Sequence, residues 1–144
     1  QEDLIPFLDK LKYMGYLIKL DTNGSRPDVL RRLIDLKLVN YIAMDVKAPL
    51  RRYRETIAVD FPPETIEESI HVIIKSGIEH EFRTTVVKPL CAYPDIREIR
   101  SMIGNTQKYH LQRARIDGGI LDGELCQYEQ YSEEEFNQLA LSLA

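Results

Sequence analysis

Several features that define common protein classes are missing from this sequence of 144 residues. It contains only two cysteines, Cys91 and Cys126, which cannot form the disulfide framework of a small secreted domain. No apolar run approaches the roughly 20 residues that span a bilayer. The acidic start of the chain lacks the basic segment that opens a signal peptide. We therefore expect a cytoplasmic protein with no membrane partner.

An excess of positive charge is also missing, and no glycine-rich phosphate loop is present. The chain has 19 basic and 23 acidic residues, which gives a formal net charge of −4. Nucleic-acid-binding surfaces need clustered Lys and Arg, so we expect no nucleic-acid partner. A sugar- or phosphate-binding α/β domain is a weak alternative, because such a site commonly uses the missing loop.

What the sequence does contain is an alternation of helical and β-rich segments. Hydrophobic residues make up 44% of the chain, enough for the core of a single domain. The predicted segments are a helix ending near Gly15, a strand 16–22, a helix 27–37, a strand 41–47, a polar irregular stretch 51–60, a helix 63–76, a strand 79–87, a helix 95–103, a strand 109–115 and a helix 132–143. This order predicts parallel βαβ units in one α/β domain: an open, curved sheet of four strands in the order 1-2-3-4, with helices on its outer face.

Each predicted strand alternates between polar and apolar residues, although strands of buried parallel sheets are usually apolar throughout. The polar positions are Lys19, Asp21, Asn23, Asp45, Lys47, Glu81, Arg83, Thr85, His110 and Gln112. Because side chains alternate with a period of two, one face of the sheet is polar while the other packs on helices. Solvent exposure alone would explain one such strand. Four together favour a polar ligand, which in parallel α/β sheets binds at the carboxyl ends of the strands.

Two of these strand ends carry motifs by which the sequence resembles a known family. Leu20-Asp-Thr-Asn-Gly-Ser25 and Ala43-Met-Asp-Val-Lys-Ala-Pro49 are similar to core motifs of radical S-adenosylmethionine (SAM) activating enzymes. The type they resemble is the anaerobic ribonucleoside-triphosphate reductase activating protein, which is related to pyruvate formate-lyase activating enzyme. Residues 81–87 and 109–112 resemble that family's fifth and sixth strands, and the likeness runs from Gln1 to about Arg115.

The resemblance implies that this chain is the C-terminal part only of such a protein. It would supply strands three to six of a six-stranded partial TIM-type barrel in residues 1–115, followed by a loop and a helix in 116–144, as one domain. The chain opens inside a helical pattern without an initiator methionine, which fits a trimmed domain. The family's CxxxCxxC loop and GGEP motif do not occur in the sequence. A 4Fe–4S cluster needs three closely spaced thiolates, so we interpret Cys91 and Cys126 as structural or incidental and expect the fragment alone to be inactive.

The resemblance also implies roles for the residues at the strand ends. The residues that would contact SAM are Asn23, Lys47, Asp21, Asp45, Arg83 and Gln112, with Lys47 binding the SAM carboxylate. Asp21 and Asp45, with the Thr22 hydroxyl, would form an oxygen-only pocket for a monovalent cation, the ligand type that hard cations prefer.

Each of these roles has a structural alternative. Lys47 could form a surface ion pair with Asp45. Asn23 could serve only its turn, in which Gly24 supplies the positive φ. Arg83 could be held in a salt bridge to Glu81 or Asp45. Relatives with a histidine near the end of the sixth strand would place it around Arg115, which leaves the adenosine contact open.

By resemblance, the intact protein would cleave SAM reductively at a 4Fe–4S cluster, with an electron donor such as flavodoxin or ferredoxin. The resulting 5′-deoxyadenosyl radical would abstract hydrogen from a glycine of a glycyl-radical enzyme. The anaerobic ribonucleotide reductase is the partner implied, with pyruvate formate-lyase, another glycyl-radical enzyme or a small substrate as alternatives. A rival of another class is a non-catalytic module that holds SAM or a partner surface.

Overall fold

A computed structural model describes residues 3–88, 90–104, 107–114 and 129–141 of the chain. Four strands form one sheet in the order β1-β2-β3-β4, and each neighbouring pair is parallel. The strands are Lys19–Thr22 (β1), Tyr41–Asp45 (β2), Glu79–Val86 (β3) and Tyr109–Arg113 (β4). The predicted open, four-stranded parallel sheet is confirmed, although β1 begins three residues later than the pattern indicates.

The helices follow the predicted order. They are Leu4–Tyr13 (α1), Pro27–Asp35 (α2), Tyr53–Ile57 (α3), Glu64–Ser76 (α4), Tyr93–Ile103 (α5) and Glu133–Leu141 (α6), with a 3₁₀ turn at Leu50–Arg52 before α3. None of the described helices is both long and apolar enough to cross a membrane. Arg115, the glycine-containing loop at 118–123, Cys126 and the predicted helix end at Leu143 lie outside the described residues.

The segment predicted to be irregular, 51–60, is helical in its first part, so that prediction is wrong. Tyr53 and Ile57 lie one helical turn apart, and Tyr53 is only 2% exposed. Ala58 adopts the left-handed conformation (φ 52°) and ends α3. Two apolar positions in a five-residue helix are too few to establish a helical period in the sequence.

The hydrophobic core lies on the apolar face of the sheet, where helices cover it. The fully buried strand residues are Ile42, Met44, Val46, Phe82 and Val86, and the helix residues packed with them include Leu30, Leu33, Ile66, Ile70, Ile73, Ile96, Ile99 and Ile103. In α1 the predicted apolar stripe is only partly used, because Leu8 is buried while Phe7 is 56% exposed.

The last helix is fastened to the loop between β3 and α5. The Lys88 ammonium lies 2.9 Å from a carboxylate oxygen of Glu135. The Tyr131 hydroxyl donates a hydrogen bond of 2.9 Å to the Cys91 carbonyl oxygen. The predicted capping box is confirmed, since Ser132 and Glu135 exchange side-chain-to-backbone hydrogen bonds of 2.8 and 3.2 Å.

Candidate ligand-binding site at the carboxyl ends of the strands

Rows of side chains cross the polar face, because parallel strands in register place residues of the same parity side by side. The rows are Lys19 with Tyr41 and Glu79, then Asp21 with Ala43 and Glu81, then Asp45 with Arg83 and His110, and last Thr85 with Gln112. We call the group of Lys19, Tyr41, Glu79, Glu81 and Lys108 the amino-terminal half. We call the group of Asn23, Lys47, Thr85 and Gln112 the carboxyl-terminal edge.

In the amino-terminal half, each charged side chain has a partner. The Lys19 ammonium lies 3.1 Å from one oxygen of Glu81, and the Tyr41 hydroxyl donates to the other at 3.0 Å. Lys108 and Glu79 form a second ion pair of 2.9 Å. Burial disfavours ionisation of the Glu81 carboxyl, but the hydrogen bonds from Lys19 and Tyr41 outweigh it, so the pKa of Glu81 is lowered. This half of the face is an internally neutralised cluster.

Arg83 bridges the two parts of the polar face. Its guanidinium lies 2.7 Å from Asp21 on β1 and 2.9 Å from Asp45 on β2, and 3.9 Å from Glu81. To reach β1 from β3 the side chain must cross β2, and the residue in register between Asp21 and Glu81 is the small Ala43. Burial opposes the charge on Arg83, but Asp21 and Asp45 prevail, so its pKa is raised.

This bridge bears on the expected cation pocket. The carboxylates of Asp21 and Asp45 are both bound to Arg83, whose single positive charge offsets one of their two negative charges. Thr22 is in register with the core residue Met44, and its hydroxyl accepts a hydrogen bond of 3.1 Å from the Gly24 amide. In this arrangement Thr22 lies on the helix side of β1 while Asp21 and Asp45 lie on the polar face, so the cation pocket stays a prediction.

A tight turn after β1 presents Asn23. Gly24 has a φ of 72°, and a Cβ built on it would lie 2.1 Å from the Met44 methyl carbon, so both conformation and space require glycine there. Ser69 of α4 donates a hydrogen bond of 2.7 Å to the Gly24 carbonyl and pins the turn. The Asn23 side-chain oxygen accepts from the Ser25 amide at 3.0 Å. The side-chain oxygen of Asn23 thus stabilises the turn, and its side-chain nitrogen lies at the exposed end of the strand.

Lys47 extends beyond β2 as an exposed side chain whose ammonium has no partner among the described residues. The expected alternative, an ion pair with Asp45, is not formed, because Asp45 is bound to Arg83. The backbone at Lys47 donates a hydrogen bond to the phenol of the buried Tyr53. Burial raises the pKa of this phenol to about 12, and the hydrogen bond offsets only part of that rise. A fixed backbone thus carries a free ammonium.

Three adjoining cavities follow the carboxyl-terminal edge and are joined through Lys47 and Thr85. The first, of about 270 Å³, lies between Asn23, Lys47 and the apolar side chains of Tyr53 and Phe61. The second, of about 230 Å³, contains Lys47, Asp45, Arg83 and Thr85. The third, of about 440 Å³, is lined by Thr85, Gln112, Arg113 and Ala114. Together they form a trough along the ends of the strands, suited to an elongated polar ligand.

Cys91 is the single cysteine that the described residues contain, and it is buried. Burial raises the pKa of its thiol to about 12, with a smaller contribution from the Asp95 carboxylate, so the thiol is protonated at neutral pH. The described part of the chain holds no cluster of His, Cys, Asp or Glu suited to a metal ion. A 4Fe–4S cluster needs several thiolates, so these residues do not fit one.

The fold and the trough define an open parallel α/β sheet with its candidate site at the carboxyl ends of the strands. This fold matches a crystallised domain of pyruvate-formate lyase-activating enzyme from Bacteroides vulgatus, with a TM-score of 0.71 over 99% of this chain and 84% of that one, at 16% identity. At that identity the match establishes the fold. No model of a known protein family matches the sequence.

A particular relative is similar in sequence as well. It is a protein of Methanocaldococcus jannaschii whose name gives it the inferred role of glycyl-radical enzyme activating enzyme. The two chains are 34% identical over 106 residues, which cover 71% of this chain and 44% of the relative. The chain is therefore homologous to that protein and spans less than half of its length.

Proposed function

We propose that this chain is the C-terminal, SAM-binding part of a radical SAM activating enzyme for a glycyl-radical enzyme. The observation that carries the proposal is the free ammonium of Lys47 at the junction of two cavities, on the edge where parallel α/β sheets bind ligands. The homologue from M. jannaschii and the fold shared with the B. vulgatus domain support the same class.

In this proposal the residues of the edge bind and orient SAM. The Lys47 ammonium pairs with the SAM carboxylate through a charge-assisted hydrogen bond. Asn23 donates to SAM from the turn, and Gln112, beside Thr85 at the far end of the trough, contacts the ribose or adenine. Arg83 keeps Asp21 and Asp45 together, so the three residues form the floor on which the ligand lies.

The iron–sulfur cluster would come from residues outside this chain, because Cys91 is unsuited to it. We propose the anaerobic ribonucleotide reductase as the glycyl-radical partner and flavodoxin or ferredoxin as the electron donor, both in the cytoplasm. When bound, SAM supplies the radical chemistry, while this chain supplies position and exclusion of water. A CxxxCxxC loop and a GGEP motif encoded upstream of Gln1 would favour the enzyme over a non-catalytic SAM-binding module.

The proposal is tested by replacing Lys47 and a matched residue of the amino-terminal half. A charge-assisted hydrogen bond in a partly desolvated site contributes about 1.5–3 kcal/mol. Lys47→Ala should therefore raise the dissociation constant of SAM roughly ten- to a hundredfold in the full-length protein. Glu79→Ala should leave it unchanged, since Glu79 lies at the opposite end of the sheet. Isothermal titration calorimetry decides, and a Lys47→Ala variant that binds SAM like the parent would refute the assignment.

A further inference from the structure

The cavity of about 230 Å³ contains a polar atom that no interaction within the protein explains. Thr56 of α3 lines this cavity, and its hydroxyl oxygen is buried without a hydrogen-bond partner among the described residues. A buried hydroxyl left unpaired is destabilising, so native structures keep few of them. An orphan that lines a cavity therefore points to a partner from outside the protein, either a water molecule or a polar atom of a ligand.

The other walls show which chemical group that partner carries. Lys47 brings a positive charge without an ion-pair partner among the described residues, whereas the charge of Arg83 is offset by Asp21 and Asp45. The Thr85 side chain adds a second hydroxyl. The single carboxylate in the lining, Asp45, is bound to Arg83, and no hydrogen bond joins it to the Thr56 hydroxyl. Val87, Leu90 and Cys91 close the cavity with apolar surface, which strengthens charged interactions inside it. The lining suits an anion that accepts hydrogen bonds.

The size of the cavity limits how much of a ligand it holds. Sites that enclose a whole drug-sized ligand measure roughly 300–1,000 Å³, so this cavity receives one end of a longer molecule. The neighbouring cavities, reached past Lys47 and Thr85, hold the rest.

Thr56 is held in place by the same contacts that fix α3. It lies three residues after the buried Tyr53, on the same side of the helix. Before the helix, Arg52 is bound at 2.9 Å to Asp95 of α5. The hydroxyl is thus part of a fixed wall.

We propose that Thr56 is a ligand-binding residue whose hydroxyl donates a hydrogen bond to the carboxylate that Lys47 attracts. The inference rests on the proposed function, in which that carboxylate belongs to the amino-acid end of SAM. Thr56 comes from α3, a helix that the sequence did not predict, and it adds to the site a residue that sequence analysis did not name.

The test compares Thr56→Val, which keeps the shape and removes the hydroxyl, with Thr56→Ser, which keeps the hydroxyl. In the full-length protein Thr56→Val should raise the dissociation constant of SAM roughly three- to tenfold, while Thr56→Ser stays within about twofold of the parent. Removing an unpaired buried hydroxyl should at the same time raise the Tm of the ligand-free protein by roughly 2–4 °C. Thr65→Val in α4 controls for the substitution itself and should leave SAM binding unchanged.

Decarboxylated SAM, which lacks the carboxylate, isolates the interaction. Parent and Thr56→Val should bind it equally, because the pairwise term is absent. A Thr56→Val variant that binds SAM like the parent would overturn the assignment, and so would weaker binding accompanied by a lower Tm, which indicates a structural role. If Lys47→Ala loses SAM while Thr56→Val does not, this inference fails and the proposed function stands. If the parent binds no SAM, both fail.

Discussion

The two ends of the polar face differ in the charge of their side chains and in how these are paired. In the amino-terminal half, the Glu81 carboxylate pairs with Lys19 and accepts a hydrogen bond from Tyr41, and Lys108 pairs with Glu79. At the carboxyl-terminal edge, Lys47 has no partner among the described residues, and the nearby Thr56 hydroxyl is unpaired. A satisfied polar cluster contributes to stability, whereas an exposed ammonium and an unpaired hydroxyl beside a cavity are available to a ligand. Substitutions should therefore cost stability at one end and binding at the other.

The largest effect on stability is expected at Asp95, which anchors the turn Leu50–Arg52 that precedes α3. The Asp95 carboxylate is 4% exposed and binds both Arg51 and Arg52, and it also accepts a hydrogen bond of 3.0 Å from the Ala92 amide. Asp95→Asn removes the buried carboxylate that Arg51 and Arg52 share and leaves them only the more exposed Glu98 and Glu55. The change should cost about 2–4 kcal/mol, limited because Arg51 is half exposed. Urea unfolding measures it, and Glu98→Gln, at the exposed partner of Arg51, should cost less than about 1 kcal/mol.

A smaller effect is expected at the bridge between the two ends. Arg83→Met leaves Asp21 and Asp45 facing each other without a counter-ion and should cost about 1–2 kcal/mol, limited by the exposure of both carboxylates. Adding Asp21→Asn and Asp45→Asn removes the repulsion and should restore part of the loss. If the triple variant is less stable than Arg83→Met alone, Arg83 does not act as the counter-ion of this pair.

The smallest effect concerns the pH dependence of stability in the amino-terminal half. The pKa of Glu81 in the folded chain lies below its usual value of 4.5. The unfolded chain then binds more protons, so this contribution is present above about pH 4.5 and is lost as the pH falls through the folded pKa. Glu81→Gln should therefore lose less stability between pH 6 and pH 3 than the parent. Thermal unfolding of both proteins across that range measures the difference. If stability falls with pH equally in the variant and the parent, the contacts of Lys19 and Tyr41 do not lower the pKa of Glu81.

The period-two alternation of the strands was sufficient to predict the polar face. The parallel order of the strands then placed the candidate site at their carboxyl ends. The same pattern could not predict that Arg83 crosses β2 to reach Asp21, because that contact joins residues 62 positions apart and depends on register and on the small Ala43. The motif groups Thr22 with Asp21, whereas the alternation of β1 places it on the helix side, in register with Met44. Tyr53 and Thr56 were missed because α3 is too short to give a period, although the spacing of Tyr53 and Ile57 was a signal.

Mapping SAM onto the sheet tests most directly whether the ligand binds at the carboxyl-terminal edge. Amide chemical shifts of the 144-residue chain, recorded by NMR as SAM is added to millimolar concentration, report both ends of the polar face in one experiment. We expect the amides of Asn23, Lys47, Thr56 and Thr85 to shift together along one binding curve, while those of Lys19, Tyr41 and Glu79 stay in place. Shifts centred on the amino-terminal half, or no shift at the carboxyl-terminal edge, would show that SAM does not bind at the carboxyl ends of the strands.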